Sequence, residues 1–353
     1  MSTGAVSGVV QSGLLAQLVA DSTATQTQLD KLTQQSASGQ VADTYGGLGN
    51  TAYVSIDLRP QMAQVTAWQQ NITTATGQLD TTQNVLGQLE SIATSFSSEA
   101  LGTSMQSTTA AATVATQAQL ALQQVAGLLN TQSDGQYSFA GTDSTNAPID
   151  TAALSTFTAA VATQVAGLDT GTDPTTLVGS LVASAATADF AYPGSSAAAT
   201  TPAALLTPTG QGQKVPTAFV AGVNSYAAQP GNGTTGSYVR DLIAGLAGLA
   251  GLGSTTASES TLQSYGAGIS QLLQGAATAI SGDEAGFGQV QSELTTQGTN
   301  LSDTLTSLTT QVSGVENVDM TATATALSQV QTQLQASYQL IAGLKQLSLT
   351  DYL

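Results

Sequence analysis

The 353-residue sequence contains no cysteine and no histidine. Without cysteine the chain has no disulfide, no thiolate metal site and no thiol nucleophile. Without histidine it lacks the commonest general base and the commonest transition-metal ligand. These two absences argue against most kinds of catalytic and metal site.

Charge is also scarce, and positive charge most of all. Charged residues make up 8% of the chain, against the usual quarter or so. Five basic residues face 22 acidic ones, for a net charge of −17. This excess argues against partners whose surfaces are phosphate-rich, namely nucleic acids and anionic membranes.

The acidic residues show no pattern typical of a site. Arg240 and Asp241 predict an ion pair on the surface at a helix start, and Asp283 with Glu284 predicts a solvated helix edge. No segment has the alternating Asp and Asn ligands of a calcium loop. The sequence therefore predicts no enzyme and no cofactor. Other aspartates fall at spacings that share no helix face: Asp21, Asp30, Asp43, Asp57 and Asp80.

Long hydrophobic runs are missing too. The most apolar run, residues 242–252, is interrupted by glycine and is too short to span a bilayer. Residues 1–15 contain no Lys or Arg and no continuous apolar stretch, so they do not resemble a secretory signal. We expect a chain without membrane segments that, if it leaves the cell, uses another route.

What the sequence does contain is helical periodicity. Residues 60–101, 108–130 and 257–315 repeat apolar side chains every seven residues, the pattern of long helices packed lengthwise. The fold class predicted is mainly α, with long antiparallel coiled-coil helices formed by the N- and C-terminal segments and a small mixed α/β inserted domain. The predicted core of this helical rod is Val65, Ile72, Leu79, Leu86, Leu273, Ile280, Phe287, Leu294, Leu301 and Leu308.

The two ends of the chain, 1–42 and 318–353, also have helical apolar stripes, and Gly39 is a plausible stop for the first helix. Two terminal helices alone cannot bury both stripes, so we predict that they pack against other copies of the chain. The residues of this assembly surface are Leu14, Leu18, Leu29, Leu32, Leu327, Val330, Leu334, Tyr338, Ile341, Leu344 and Leu347.

The remaining segments complete a nested plan. Glycine-rich residues 43–59 predict a connector with a short extended piece at Tyr53, Val54 and Ile56. A helix whose first turn contains Pro60 follows it. The proline-rich residues 150–249 predict an inserted outer domain. The rod domain would then comprise 43–149 and 250–317, with a β-hairpin near 135–142.

Three motifs resemble those of one family. SGQVAD at 38–43 is similar to a signature that ends a first helix, and GQYSFAGT at 135–142 to a hairpin motif. The tail has LQASY at 334–338 and LSLTDYL at 347–353. Together they resemble the bacterial flagellin family over 1–145 and 250–353, most closely the members that join hook to filament. After Asp43 the chain has Thr-Tyr-Gly, where the family often has a second acidic residue and a proline.

The resemblance implies a structural subunit of the extracellular flagellum, exported unfolded by the flagellar type III apparatus. Its partners would be copies of itself, the hook-side junction protein, filament flagellin and an export chaperone on the C-terminal helix. Two alternatives stay open: a filament-forming flagellin, and a secreted coiled-coil surface adhesin.

Overall fold

The computed structural model describes residues 4–102, 105–133, 135–191, 204–227 and 233–350, and for residues 4–15, 218 and 344–350 it describes the backbone alone. Contacts divide the chain into two compact units. Unit 1 comprises Met1–Thr66 and Asp303–Leu353, and unit 2 comprises Ala67–Ser302. The fold is mainly α, as predicted.

The helices of the described residues are named in chain order. They are α1 (Gly4–Ser38), α2 (Ala52–Leu101), α3 (Thr108–Leu129), α4 (Thr151–Val165), α5 (Pro174–Thr187), α6 (Tyr238–Ala250), α7 (Glu259–Glu316) and α8 (Met320–Thr350). Short 3-10 segments lie at Tyr45–Thr51, Ala166–Thr170 and Gly251–Ser254.

Most helix starts in unit 2 follow from a capping side chain, because the first N–H groups of a helix have no partner within it. Ser107 caps α3, Asp150 caps α4, Asp173 caps α5 and Ser237 caps α6, each by accepting a hydrogen bond from a backbone N–H of the first turn. In unit 1, Asp319 directly precedes α8, and its carboxylate accepts hydrogen bonds from the backbone N–H groups of residues 321 and 322 in the first turn.

The connector differs from the sequence prediction. The extended piece expected around Tyr53, Val54 and Ile56 is wrong, because α2 begins at Ala52 and already contains these residues. Pro60 therefore lies inside α2 and not in its first turn. The glycine-rich stretch before it forms the 3-10 segment, with Leu48 buried. The predicted stop of α1 is confirmed, since Gly39 has a φ of +71° directly after the helix.

In unit 2, α2 and α7 run antiparallel. The hydroxyls of Ser97 and Ser270 lie 2.9 Å apart, and Gln291 donates to Asp80 at the other end of this contact. The backbones approach closely where α7 has Gly266, since a Cβ there would lie 2.2 Å from the carbonyl oxygen of Ala100. This is the antiparallel packing that the seven-residue repeats predict.

The core of unit 2 centres on α6, which is buried along almost its whole length. Helices α3, α4 and α5 pack against it. By length and composition alone, Thr151–Thr170 could cross a membrane, but core helices of soluble proteins share this property. Its side chains Leu154, Phe157 and Val161 are buried in unit 2. Residues 150–249 thus share unit 2 with α3.

The described residues of unit 2 also form two antiparallel hairpins. The first pairs β1 (Gln132–Ser133) with β2 (Gln136–Tyr137), a few residues before the range expected for it. Gly135, with a φ of +77°, lies in its turn. The second pairs β3 (Leu205–Gly210) with β4 (Gln213–Ala218).

Candidate assembly surfaces

The terminal helices α1 and α8 pack against each other in unit 1. They run antiparallel, because Gln26 donates to the hydroxyl of Tyr338 while Val318 N–H donates to the carbonyl of Gly39, at 3.0 Å. The side chains buried between α1 and α8 include Val330 and the small polar residues Ser22 and Thr25. Most of the predicted assembly residues along it are only half-buried, namely Leu18, Leu29, Leu32, Leu327, Leu334 and Ile341.

Large apolar side chains remain exposed on these two helices. Val19 of α1 is 52% exposed, and Tyr338 and Leu340 of α8 are 47% and 60% exposed. Exposed apolar side chains concentrated on one helix pair are typical of a surface that contacts another protein. The predicted assembly residues Leu14, Leu344 and Leu347 fall outside the side chains that the structure describes.

The ends of α1 and α7 are joined by backbone hydrogen bonds. Val41 N–H donates to the carbonyl of Glu316 at 2.7 Å, and Gln40 pairs with Asn317 in an antiparallel bridge. The chain breaks that the sequence predicts at Gly39 and at 314–317 therefore meet. This joint fixes where the α1–α8 pair begins.

A bidentate ion pair secures the same joint. Arg59 Nε and Nη2 donate to the two carboxylate oxygens of Glu316 at 2.9 and 2.6 Å, and the Ser55 hydroxyl donates to one of them. The hydrogen bonds from Arg59 and Ser55 hold the pKa of Glu316 below its ordinary value. Because the Arg59 side chain is half exposed, the pair stabilises unit 1 by only about 1 kcal/mol.

A cavity of about 400 Å³ lies beside this pair, lined by Tyr45, Leu48 and Asp43 among others. Of its lining residues, Arg59 is the basic one, and Glu316 already binds it. Among the residues that the structure describes, no group of three or more Asp, Glu, His or Cys side chains is arranged to hold a metal ion.

The predicted rod residues lie in both units. In unit 2, seven of them are buried and Leu301 is half-buried. Those buried in unit 2 are Ile72, Leu79, Leu86, Leu273, Ile280, Phe287 and Leu294. In unit 1, Val65 and Leu308 are buried as well.

Two predictions about acidic residues are wrong. Asp241 is buried and accepts the N–H of Thr235 at 2.7 Å, while Arg240 donates to the carbonyls of Ala185 and Ala188, so the two do not form a surface ion pair. Burial raises the pKa of Asp241 and lowers that of Arg240.

Asp283 is fully buried instead of lying on a solvated edge. Its carboxylate accepts three backbone N–H groups, from Ser225, Tyr226 and Ala227, at 2.8, 2.6 and 2.6 Å. The signal available in the sequence was the interruption of an apolar stripe by an acid. Such an interruption fits solvent exposure and a buried anchor equally well.

Comparison with known families agrees with this architecture. The family model for the bacterial flagellin N-terminal helical region matches residues 12–144, and that for the bacterial flagellin C-terminal helical region matches 270–353. Together these ranges cover more than half of the chain. The chain belongs to the bacterial flagellin family. No curated protein sequence matches it significantly.

Family membership explains the paired ends. The N-terminal match contains α2, α3 and most of α1, and the C-terminal match contains α8 and most of α7. Flagellins are structural, non-enzymatic proteins that polymerise with themselves and with other flagellar subunits, so this flagellin is a structural subunit of the flagellum. The residues between the two matches, 145–269, include α4, α5, α6 and the second hairpin.

Proposed function

We propose that this flagellin joins the hook to the filament, with its terminal helices packed against neighbouring subunits. The observation that carries the proposal is the state of α8. Although α8 is paired with α1, Tyr338 and Leu340 stay exposed and Leu334 and Ile341 only half-buried. Burying such side chains against neighbours would add about 25 cal/mol per Å² of apolar surface.

The junction role is supported by the tail. The sequence LQASY at 334–338 followed by LSLTDYL at 347–353 resembles the ending of junction members more than that of filament flagellins. In this proposal 1–42 and 318–353 form the assembly domain, 43–149 and 250–317 form the rod, and 150–249 form the outer part. Its flagellar partners would be the hook-side junction protein and filament flagellin.

The same surface suits a chaperone before export. Until neighbours cover the terminal helices, Tyr338 and Leu340 of α8 are exposed to water, and a chaperone that binds this helix would protect them. Export through the flagellar type III apparatus would place the subunit outside the cell.

A deletion strain tests the role. Loss of a junction subunit should leave filaments that form but detach, so that filament protein accumulates in the medium. The absence of any filament protein would instead make the chain a filament flagellin. Growth of the purified chain into long filaments would support that second role.

A paired substitution tests the surface. Changing both Leu334 and Ile341 to Asp should abolish incorporation into flagella, because both side chains would carry charge into an apolar contact. The control changes Thr156 and Thr163, exposed residues with the same spacing on α4, to Asp. Normal motility with the α8 double variant would contradict the proposal.

A further inference from the structure

Residues 205–227 form a strap that follows α7 in unit 2. At its first end, the tip of the β3–β4 hairpin spans two helices. Asn71 of α2 donates to the carbonyl of Pro208 at 2.7 Å, and Gln297 of α7 donates to the carbonyl of Thr209 at 2.8 Å. Gly210 permits this approach, since a Cβ there would lie 2.5 Å from Gln297 Nε2.

The middle of the strap packs on α7 through an aromatic pair. The rings of Phe219 and Phe287 are 4.2 Å apart between centroids, and both side chains are buried. The backbone here also pairs with the segment after β2. Phe219 N–H donates to the carbonyl of Ser138 at 3.0 Å, and Gly141 N–H donates to the carbonyl of Phe219 at 2.8 Å.

The far end of the strap is anchored by Asp283. Besides its three N–H···O bonds to the carboxylate, the strap places the Tyr226 ring edge-on to Phe287, at 5.1 Å between centroids. Gly286 leaves room for this ring, because a Cβ would lie 2.4 Å from it. From Gln297 to Asp283 the three contacts span roughly 20 Å of helix, so the strap is held along its whole length.

The strap has no acidic residue of its own, a property that it shares with α8. Residues 205–227 contain no acidic residue and a single basic one, Lys214, which is exposed. Of the five large apolar side chains that are exposed among the described residues of unit 2, three belong to the strap: Leu206, Val223 and Tyr226. The strap thus presents exposed apolar side chains and one exposed lysine on a chain whose net charge is −17.

We propose that the strap is a contact surface for a second copy of this chain. Charge favours this occupant, because a neighbouring copy has a net charge of −17, while the strap offers an exposed lysine and contains no acidic residue of its own. The contacts to α2 and α7 fix the strap beforehand, so little ordering entropy is lost when a copy binds. This inference rests on the proposed assembly into flagella and adds a surface outside the terminal helices.

The test uses the absence of cysteine from the chain. Leu206→Cys and Val223→Cys each place one thiol on the strap, and Gln263→Cys places one on an exposed part of α7 roughly 30 Å from Asp283. The measurement is the rate of maleimide labelling in the purified chain and in isolated flagella. We expect both strap thiols to react about tenfold more slowly in flagella than in the free chain, and the Gln263→Cys thiol to react equally in both.

The occupant is identified by attaching a benzophenone maleimide to the free Leu206→Cys chain before assembly and irradiating the flagella. A product containing two copies of this chain is expected. A product with a different flagellar protein, or equal labelling of the strap thiols in both states, would overturn the inference. So would equal protection of the Gln263→Cys thiol, since the protection would not then be specific to the strap.

Charge gives an independent readout. Lys214→Glu should reduce incorporation into flagella more than Lys214→Gln does, and the difference should shrink at high salt because exposed charges are screened. Identical incorporation of the two variants at low salt would count against the strap. If neither the unaltered chain nor any variant enters flagella, the proposed function is refuted. If the chain enters flagella but the strap thiols stay reactive there, only the strap surface is refuted.

Discussion

In unit 2 the helix α6 is buried along almost its whole length. In unit 1, by contrast, most leucines of α1 and α8 whose side chains the structure describes are only half-buried. The large buried side chains follow the same division. Tyr265, Phe139, Phe190 and Phe287 are fully buried, and all of them lie in unit 2. One unit therefore completes its core within a single chain, and the other keeps apolar surface available.

The polar groups differ in the same sense. Unit 2 uses buried acidic side chains to fix loops: Asp241 accepts one backbone N–H group and Asp283 accepts three. Unit 1 depends on the more exposed pair of Arg59 and Glu316 at a joint. We therefore expect unit 2 to be the stable part of the free subunit, and unit 1 to gain stability if neighbouring subunits cover it as proposed.

The largest effect on stability should come from a cavity in the core of unit 2. Leu273 is fully buried and packs against Gly245, where a Cβ would lie 2.6 Å from its side chain. We expect Leu273→Ala to lower the free energy of unfolding by about 3 kcal/mol, since it removes apolar contacts and leaves a cavity. Urea unfolding of the free subunit measures this change.

The matched variant in unit 1 is Leu334→Ala. Because Leu334 is half-buried, the same truncation should cost the free subunit about 1 kcal/mol or less. Its main effect should appear as weaker incorporation into flagella. If the two variants destabilised the free subunit equally, the contrast between the units would be lost.

A smaller effect is expected from the anchor of the strap. Asp283→Ala leaves the N–H groups of Ser225, Tyr226 and Ala227 without their acceptor, at a cost of about 2 kcal/mol. The readout is hydrogen exchange at these three amides, which should accelerate. The control is Glu293→Ala on α7, which removes an exposed carboxylate and should change stability by less than about 0.5 kcal/mol. Unchanged exchange at the three amides would show that the carboxylate does not hold the loop.

Much of the long-helix plan follows from periodicity alone. The series that runs through Leu273, Ile280 and Phe287 predicts α7 to within two residues of its observed ends, because a helix buried along one face requires apolar side chains at that spacing. The stop at Gly39 follows from the left-handed conformation that glycine adopts freely. The pairing of α1 with α8 follows from two stripes that need a partner.

The strap and the connector could not be predicted in this way. The contacts of Asn71, Gln297 and Asp283 depend on residues far apart in sequence, and a single polar residue carries no periodic signal. Tyr53, Val54 and Ile56 favour strand by local propensity, yet they lie in α2, because propensity is overridden where a helix continues into a packed rod. The outer face of α8 was predictable as apolar, but its exposure beside α1 required the structure.

The smallest predicted effects concern the pH dependence of stability, which should have opposite signs in the two units. In unit 1, the hydrogen bonds from Arg59 lower the pKa of Glu316. A carboxyl whose folded pKa is depressed stabilises the fold above its ordinary pKa, and this contribution is lost as the pH falls through the folded value. Glu316→Gln should therefore destabilise unit 1 by about 1 kcal/mol at neutral pH, and the gap to the unaltered chain should close on acidification below the ordinary glutamate pKa.

In unit 2, the pKa of Glu284 is shifted in the opposite direction. Burial, together with the charge of Glu90, raises the pKa of Glu284. Because the fold disfavours the charged form, Glu284 lowers the stability of unit 2 at neutral pH. This stability is regained as the pH falls through the raised pKa towards the ordinary glutamate pKa. Glu284→Gln should thus stabilise unit 2 at neutral pH, by about 0.5 kcal/mol because the side chain is only half-buried. Urea unfolding across this pH range, with hydrogen exchange to assign each change to its unit, measures both variants. If both shifted stability in the same direction at neutral pH, the electrostatic contrast between the joint in unit 1 and the α2–α7 contact in unit 2 would be refuted.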